Sequence, residues 1–220
     1  MATRAEVLDI VLTSRVIAVL RLKDAASLPD IAAALGRGGV KALEVTLTTP
    51  GALDAIRALA AVKAPGTIVG AGTVLDADAA FEAVEAGADF IVSPVLSPAV
   101  VRACREAEVF VAPGAFSPTE ILSAWHLGAD VVKVFPATSL GPAFFKDMRG
   151  PLPAIRLMPT GGVSLENAAE FIRQGACCVG VGTALLDPAI LARKDWEALT
   201  VLARRLADAV AAVRPEKTAI

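Results

Sequence analysis

The chain repeats one phrase: an amphipathic stretch of roughly ten residues at helical period, a glycine, then a short apolar run. The phrase recurs at Gly38-Gly39-Val40, Gly87-Ala88-Asp89, Gly128-Ala129-Asp130 and Gly175-Ala176-Cys177. Glycines at these junctions suit the left-handed position that ends a helix. Near-continuous apolar runs are the mark of parallel strands buried on both faces. The pattern predicts strands over Val16–Leu22, Ala42–Leu47, Thr67–Val74, Phe90–Val95, Phe110–Phe116, Val131–Pro136, Ile155–Gly162 and Val179–Leu186. Helices are expected between them, over Ser27–Leu35, Gly51–Val62, Asp76–Ala86, Pro98–Glu108, Pro118–Leu127, Pro142–Met148, Leu165–Gln174 and Ile190–Val213. Asp76, Ser97, Ser117 and Ser164 stand where caps belong, two of them before a proline at the first helical position. Thr3-Arg4-Ala5-Glu6 reads as a capping box for an additional helix at roughly Arg4–Ser14.

Strands alternating with helices imply a parallel sheet with right-handed crossovers. Eight such units within 220 residues predict a single domain, 1–220, folded as a (β/α)8 TIM barrel with an extra N-terminal helix. An open doubly wound sheet is the competing arrangement, but no GxGxxG turn follows the first strand. No linker or low-complexity stretch divides the chain, and the tail Arg214–Ile220 is expected to fray.

Composition narrows the function classes. Hydrophobic residues make up 55% of the chain, and the mean hydropathy is +0.61. The apolar residues are nevertheless interrupted, and no run of about 18 lacks charge, Gly or Pro, so no membrane span is expected. The N-terminus lacks a signal-peptide core, and the formal charge of −2 favours neither nucleic acid nor anionic lipid. Three cysteines, Cys104, Cys177 and Cys178, suit a reducing, cytoplasmic setting. With one histidine, His126, a His/Cys zinc site and a His-based triad are both disfavoured.

The chemistry is sought among polar residues near the ends of apolar strands, because barrel active sites gather at the C-terminal face. Lys133 lies in the middle of Val131-Val132-Lys133-Val134-Phe135-Pro136. Burial disfavours an ammonium, and a neutral amine in an apolar site is the reagent that condenses with a ketone. Glu44 and Thr46 share one face of Ala42–Leu47, with Leu43, Val45 and Leu47 on the other. The polar face should line the lumen, where Glu44 can meet Lys133. A buried Glu44–Lys133 ion pair without chemistry is the plainer reading, but such pairs rarely help stability over apolar residues. Thr160-Gly161-Gly162-Val163 ends the seventh strand and Gly180-Val181-Gly182-Thr183 the eighth, where barrels often form an anion nest from backbone amides. Tight turns are the alternative there. Arg21 follows the first strand, where it can grip a carboxylate or merely sit on the rim. Thr73, Ser93 and Thr160 complete the polar strand-end set, while Pro94 can serve simply to stop its strand. His126, Trp125, Trp196, the Cys177-Cys178 pair and Arg204-Arg205 read as structural or surface residues.

Several segments resemble the bacterial class I 2-keto-3-deoxy-6-phosphogluconate (KDPG) and 4-hydroxy-2-oxoglutarate (KHG) aldolases. They are Leu43-Glu44-Val45-Thr46-Leu47, Val69-Gly70-Ala71-Gly72-Thr73-Val74-Leu75, Ile91-Val92-Ser93-Pro94, Val132-Lys133-Val134-Phe135-Pro136-Ala137, Pro159-Thr160-Gly161-Gly162-Val163 and Val181-Gly182-Thr183. The resemblance implies Lys133 as the Schiff-base lysine and Glu44 as acid and base. It implies Thr73 and Pro94 at the pyruvate end, Thr160 near the hydroxyls, and Gly161, Gly162, Gly182 and Thr183 on the phosphate. It also implies a small-molecule keto-acid sugar phosphate as substrate, no cofactor, and a homotrimer. In the gluconate branch an arginine follows Glu-Val-Thr-Leu, where this chain has Thr48. The galactonate branch is similar around Ala18-Val19-Leu20-Arg21 and Ser139-Leu140-Gly141-Pro142, so Arg21 is the expected carboxylate clamp. A phosphosugar isomerase or epimerase, and a non-catalytic phosphate-binding barrel, are the rival functions.

Overall fold

The computed structural model describes residues 1–23 and 25–213; the expected fraying at 214–220 falls outside the described residues. Helix α1 (Arg4–Ser14) opens with the expected capping box, Thr3 accepting from the Glu6 amide. The strands are β1 (Val16–Leu20), β2 (Ala42–Thr46), β3 (Ile68–Gly72), β4 (Phe90–Val92), β5 (Phe110–Ala112), β6 (Gly114–Ala115), β7 (Val132–Val134), β8 (Leu157–Pro159) and β9 (Val179–Val181). Between them run α2 (Leu28–Arg37), α3 (Ala52–Val62), α4 (Ala77–Glu85), α5 (Pro98–Glu106), α6 (Pro118–His126), α7 (Gly141–Arg149) and α8 (Ala168–Arg173), and α9 (Pro188–Arg193) and α10 (Trp196–Ala211) follow.

All pairings are parallel, in the order β5-β4-β3-β2-β1-β9 and β6-β7-β8. The bridge Thr160↔Gly180 joins the β8 side to β9, and β5 passes to β6 through Pro113 alone, so the sheet closes into the barrel that the repeat predicts. Gly39, Gly87, Gly128 and Gly175, the four junction glycines, all carry positive φ, as helix-ending residues should.

Three expectations are corrected. The fifth strand is broken: proline has no N–H to continue a ladder. The Pro113 carbonyl still accepts from the Lys133 amide at 2.9 Å. The final helix is two helices, interrupted at Lys194 with φ 52°, because Asp187 caps α9 and Asp195 separately caps α10. Ser164 is not a helix cap; its amide donates to Asn167 Oδ1 at 2.8 Å in a turn, and α8 starts only at Ala168. Asp76, Ser97 and Ser117 do cap their helices.

Two apolar layers result from the alternation of strand side chains. Leu43, Val45, Val69, Ile91 and Val132 pack outward against the helices. Ile17, Ala42, Ile68, Phe90, Phe110, Val131, Met158 and Cys178 form an inner cluster together with Val7 and Val11 of α1. Helix α1 thereby contributes to a filled floor, and the polar lumen lies above it. Phe90 and Phe110 meet edge-to-face at 6.2 Å, and Gly70 makes room for them, since a Cβ there would lie 2.4 Å from the Phe90 ring. Two aspartates of the repeated phrase tie this end together. Asp89 accepts from the amides of Ala2 and Val69 and pairs with Lys63, while Asp130 accepts from the Val111 amide and pairs with Arg4 at 2.8 Å.

Candidate active site

Strand β2 carries Glu44 into the lumen. Its neighbours in register are Val19 on β1 and Gly70 on β3. Strand β7 carries Lys133, flanked in register by Gly114 and Met158. The two side chains meet inside the barrel, with Lys133 Nζ 4.0 Å from Glu44 Oε1. Residue exposure is 1% for Glu44 and 4% for Lys133, so the opposite charges face each other with little solvent screening. Burial raises the Glu44 carboxyl above the ordinary glutamate range, and the charges of Lys133 and then Arg21 pull it back down. Neither Glu44 oxygen has a hydrogen-bond partner among the described residues.

Thr46, one step along the same face, instead joins a hydroxyl cluster. Its Oγ1 lies 3.1 Å from that of Thr48 and 3.4 Å from that of Thr49. The Leu22 amide donates to Thr49 Oγ1 at 3.2 Å, which ties the exit of β1, and hence Arg21, to the exit of β2.

A cavity of about 660 Å³ opens beside the pair at the C-terminal ends of β1, β8 and β9. Arg21, Thr160, Gly161, Gly162, Gly182 and Thr183 all line it, so six of the ten sequence-predicted site residues share one space. Thr160 Oγ1 is buried without a partner, and Gly180 leaves it room, because a Cβ there would approach it to 2.4 Å. Gly161 and Gly162 have φ of +86° and +74°. At Gly162 a Cβ would also stand 2.6 Å from Thr138 Oγ1, so the turn is closed to larger residues.

Lys133, Glu44, Thr73 and Pro94 are not among the residues lining this cavity. Thr73 directly follows β3 and holds φ 59°, a costly conformation for a β-branched residue and one found most often at functional sites. Pro94 lies against the fifth unit, where a Cβ on Gly114 would reach its carbonyl oxygen at 2.2 Å.

Two further residues shape the site without having signalled it in the sequence. Phe135 lines the cavity, and its ring centroid is 5.1 Å from Lys133 Nζ, a cation–π distance. Strand alternation could have found it, since it shares the Lys133 face. Gly72 faces the Glu44 carboxylate, a role that no sequence pattern encodes. Trp196, expected only to pack, adds to the apolar wall with Ile31, Leu186 and Leu191.

A scan against protein-family models matches residues 7–202 to the family described as KDPG and KHG aldolase. The chain belongs to the KDPG and KHG aldolases. It is 40% identical over 193 residues to the 2-dehydro-3-deoxy-phosphogluconate aldolase of Pseudomonas aeruginosa, covering 87% of each chain. It is 36% identical to the KHG/KDPG aldolase of Escherichia coli, covering 89% of this chain and 92% of that one. Among solved structures, the KDPG aldolase of Legionella pneumophila, with pyruvate captured as a covalent carbinolamine, superposes with a TM-score of 0.84 at 30% identity over 90% of this chain and 97% of that one.

The remaining nucleophilic side chains of this aldolase lie outside the polar lumen. Burial, aided by Asp130, pushes the Cys104 thiol up to about 12, which leaves little reactive thiolate. Cys178 belongs to the apolar floor, and its thiol is raised by the Cys177 thiol 3.7 Å away and by burial. His126 is exposed on α6.

Proposed function

We propose that the protein is a class I aldolase that cleaves 2-keto-3-deoxy-6-phosphogluconate to pyruvate and glyceraldehyde 3-phosphate. The observation that carries the reading is the buried amine–carboxylate pair, Lys133 with Glu44, beside a cavity that holds Arg21 at one strand exit and glycine turns at two others. A buried ion pair rarely earns its place by stability alone, so a chemical role accounts for it better.

In this mechanism the free amine of Lys133 adds to the C2 ketone, and loss of water gives a protonated imine. Glu44, as carboxylate, takes the proton of the C4 hydroxyl. The C3–C4 electron pair flows into the imine, glyceraldehyde 3-phosphate leaves, and an enamine of pyruvate remains on Lys133. Glu44 returns its proton to C3, and water releases pyruvate. A base held in place contributes about 10²–10⁴-fold. Arg21 grips the keto-acid carboxylate as a fork. Thr160 meets the chain hydroxyls, and Thr73 and Pro94 border the pyruvate end. Gly161, Gly162, Gly182 and Thr183 receive the phosphate, anchoring the far end so that the scissile bond is oriented.

Borohydride trapping tests the central step. Wild-type protein incubated with pyruvate should gain a reduced adduct on Lys133, and Lys133→Met should gain none. An adduct at full yield in Lys133→Met sinks the assignment. A phosphosugar isomerase using Glu44 alone would form no adduct in either protein, and a non-catalytic barrel would release no pyruvate in a coupled lactate dehydrogenase assay.

A second reading, 2-keto-3-deoxy-6-phosphogalactonate as substrate, draws on one observation. Arg21 lines the cavity, whereas Thr48 is exposed outside its lining. A panel of the two epimeric phospho-keto acids and 4-hydroxy-2-oxoglutarate ranks the alternatives.

We also infer a homotrimer in the cytoplasm. Leu75, Phe81, Val95 and Phe116 are large exposed apolar residues on three successive units of the barrel, which favours a covered face. The unpaired thiols suit a reducing compartment, and among the described residues no helix is long and apolar enough to cross a membrane. Sedimentation equilibrium at a monomer mass would rule the trimer out.

A further inference from the structure

We propose that Lys23 is a specificity residue for the phosphorylated end of the substrate, its ammonium meeting the dianion opposite the glycine turns at Gly161-Gly162 and Gly182-Thr183. This inference rests on the aldolase reading above and assigns the charge that its phosphate site otherwise lacks.

The charge balance of the cavity is the starting point. Among the described residues its lining contains two cations, Arg21 and Lys23, and no carboxylate. Neither cation enters an ion pair with a described residue. Two like charges in one concave space repel each other and raise the local concentration of anions. A ligand with two separated negative groups relieves both.

The two cations occupy different depths. Val19 and, past the end of β1, Arg21, Leu22 and Lys23 all line the cavity, while Leu20 is buried in the outer layer. Val19 stands in register with Glu44, so Arg21, two residues on, is nearer along the chain to the Lys133–Glu44 pair, where the keto-acid end reacts, and Lys23 is four residues on. Two residues of extended chain separate their backbones by at most roughly 7 Å, the scale of a six-carbon acid phosphate. Lys23 is exposed and lines the same cavity as both glycine turns and Thr183.

The chemistry of each residue suits its end. A guanidinium matches a carboxylate as a planar fork, while an ammonium acts as a point charge on a flexible stem and suits a phosphate held mainly by backbone. Ser27 adds a neutral group beside Lys23: it lines the cavity, and its hydroxyl makes no cap bond to its own helix α2.

Steady-state kinetics of wild type, Lys23→Gln and Lys23→Arg on 2-keto-3-deoxy-6-phosphogluconate and on 2-keto-3-deoxygluconate, the same acid without phosphate, test the proposal. The preference for the phosphorylated acid, as a ratio of kcat/KM values, should fall about tenfold in Lys23→Gln, mostly through KM, and recover in Lys23→Arg. Added salt should erode that preference in wild type more than in Lys23→Gln. Titration of inorganic phosphate into wild type and Lys23→Gln, followed by ³¹P NMR, should show about tenfold weaker binding in the variant. An unchanged preference ratio, or unchanged phosphate affinity, overturns the proposal. If wild type cleaves neither acid, the aldolase reading fails, and the phosphate titration still decides the role of Lys23.

Discussion

Gly72 and Glu44 occupy one space: a Cβ added to Gly72 would lie 2.0 Å from Glu44 Oε1 and 2.6 Å from its carboxyl carbon. The missing side chain on β3 is what lets the carboxylate of β2 stand across from Lys133. Gly72→Ala should therefore displace the carboxylate and lower kcat about 10²-fold, the lower range for a misplaced base. The borohydride adduct on Lys133 should still form. In a Glu44→Asp background, where the carboxylate is drawn back by one methylene, the added cost of Gly72→Ala should shrink. A double-mutant cycle reads this directly, and simple additivity would mean that the two residues do not act on each other.

Burial gives the reaction its acid limit. The Glu44 carboxyl is raised above the ordinary value of 4.5, chiefly because its charged form is desolvated. A base works only when deprotonated, so kcat should fall as pH drops through that raised value, and do so above the range of a free glutamate. Replacing Glu44 by Gln should remove this acid limb together with most of the turnover. A kcat profile flat down to pH 4.5 would take the base role from Glu44.

Stability at the opposite end of the barrel hangs on aspartates rather than on the lumen pair. Asp89 is 2% exposed and satisfies the amides of Ala2 and Val69 as well as Lys63. Asp89→Ala removes all three interactions and leaves a buried amide and a cation unpaired. It should cost about 3 kcal/mol in urea denaturation. The KM of the folded fraction should stay near that of wild type, since Asp89 lies far along the strands from the cavity. A loss below about 0.5 kcal/mol, typical of a surface substitution, would mean that the clamp is dispensable.

These residues also mark what the sequence makes legible. Lys133 and Glu44 stand out because each breaks an apolar strand, and period-two alternation correctly puts Glu44 on the face turned away from Leu43 and Val45. Four of the unit junctions are readable because a glycine of positive φ follows the helix there. The break at Pro113 and the second cap at Asp195 are written in single residues, and a window long enough to detect periodicity smooths over both. Contacts across strands are harder still. Nothing near Gly72 in sequence announces that its empty side faces Glu44, because closure of the barrel decides which strands share the lumen. The strand ends that Thr73 and Pro94 occupy are legible too, and like Lys133 and Glu44 they are not among the residues lining the cavity that Arg21 and Thr160 share.

The carboxylate clamp is open to a sharp test. Arg21 lines the cavity, and its segment is held by the Leu22 amide on Thr49, a hydroxyl next to Thr48 on the β2 exit. The two exits are thus hydrogen-bonded neighbours, and an arginine arising from either could reach one carboxylate. Arg21→Ala should raise KM for pyruvate in the condensation direction about tenfold or more, the cost of a lost charge-assisted fork. Arg21→Lys should recover only part of it, because an ammonium cannot grip both oxygens. Adding Thr48→Arg to Arg21→Ala should restore pyruvate affinity if the exits serve the same end of the substrate. Failure of that restoration with the protein folded, alongside an intact Arg21→Ala defect, would show that the two positions face different parts of the cavity. An Arg21→Ala enzyme with wild-type pyruvate KM would remove Arg21 from the site altogether.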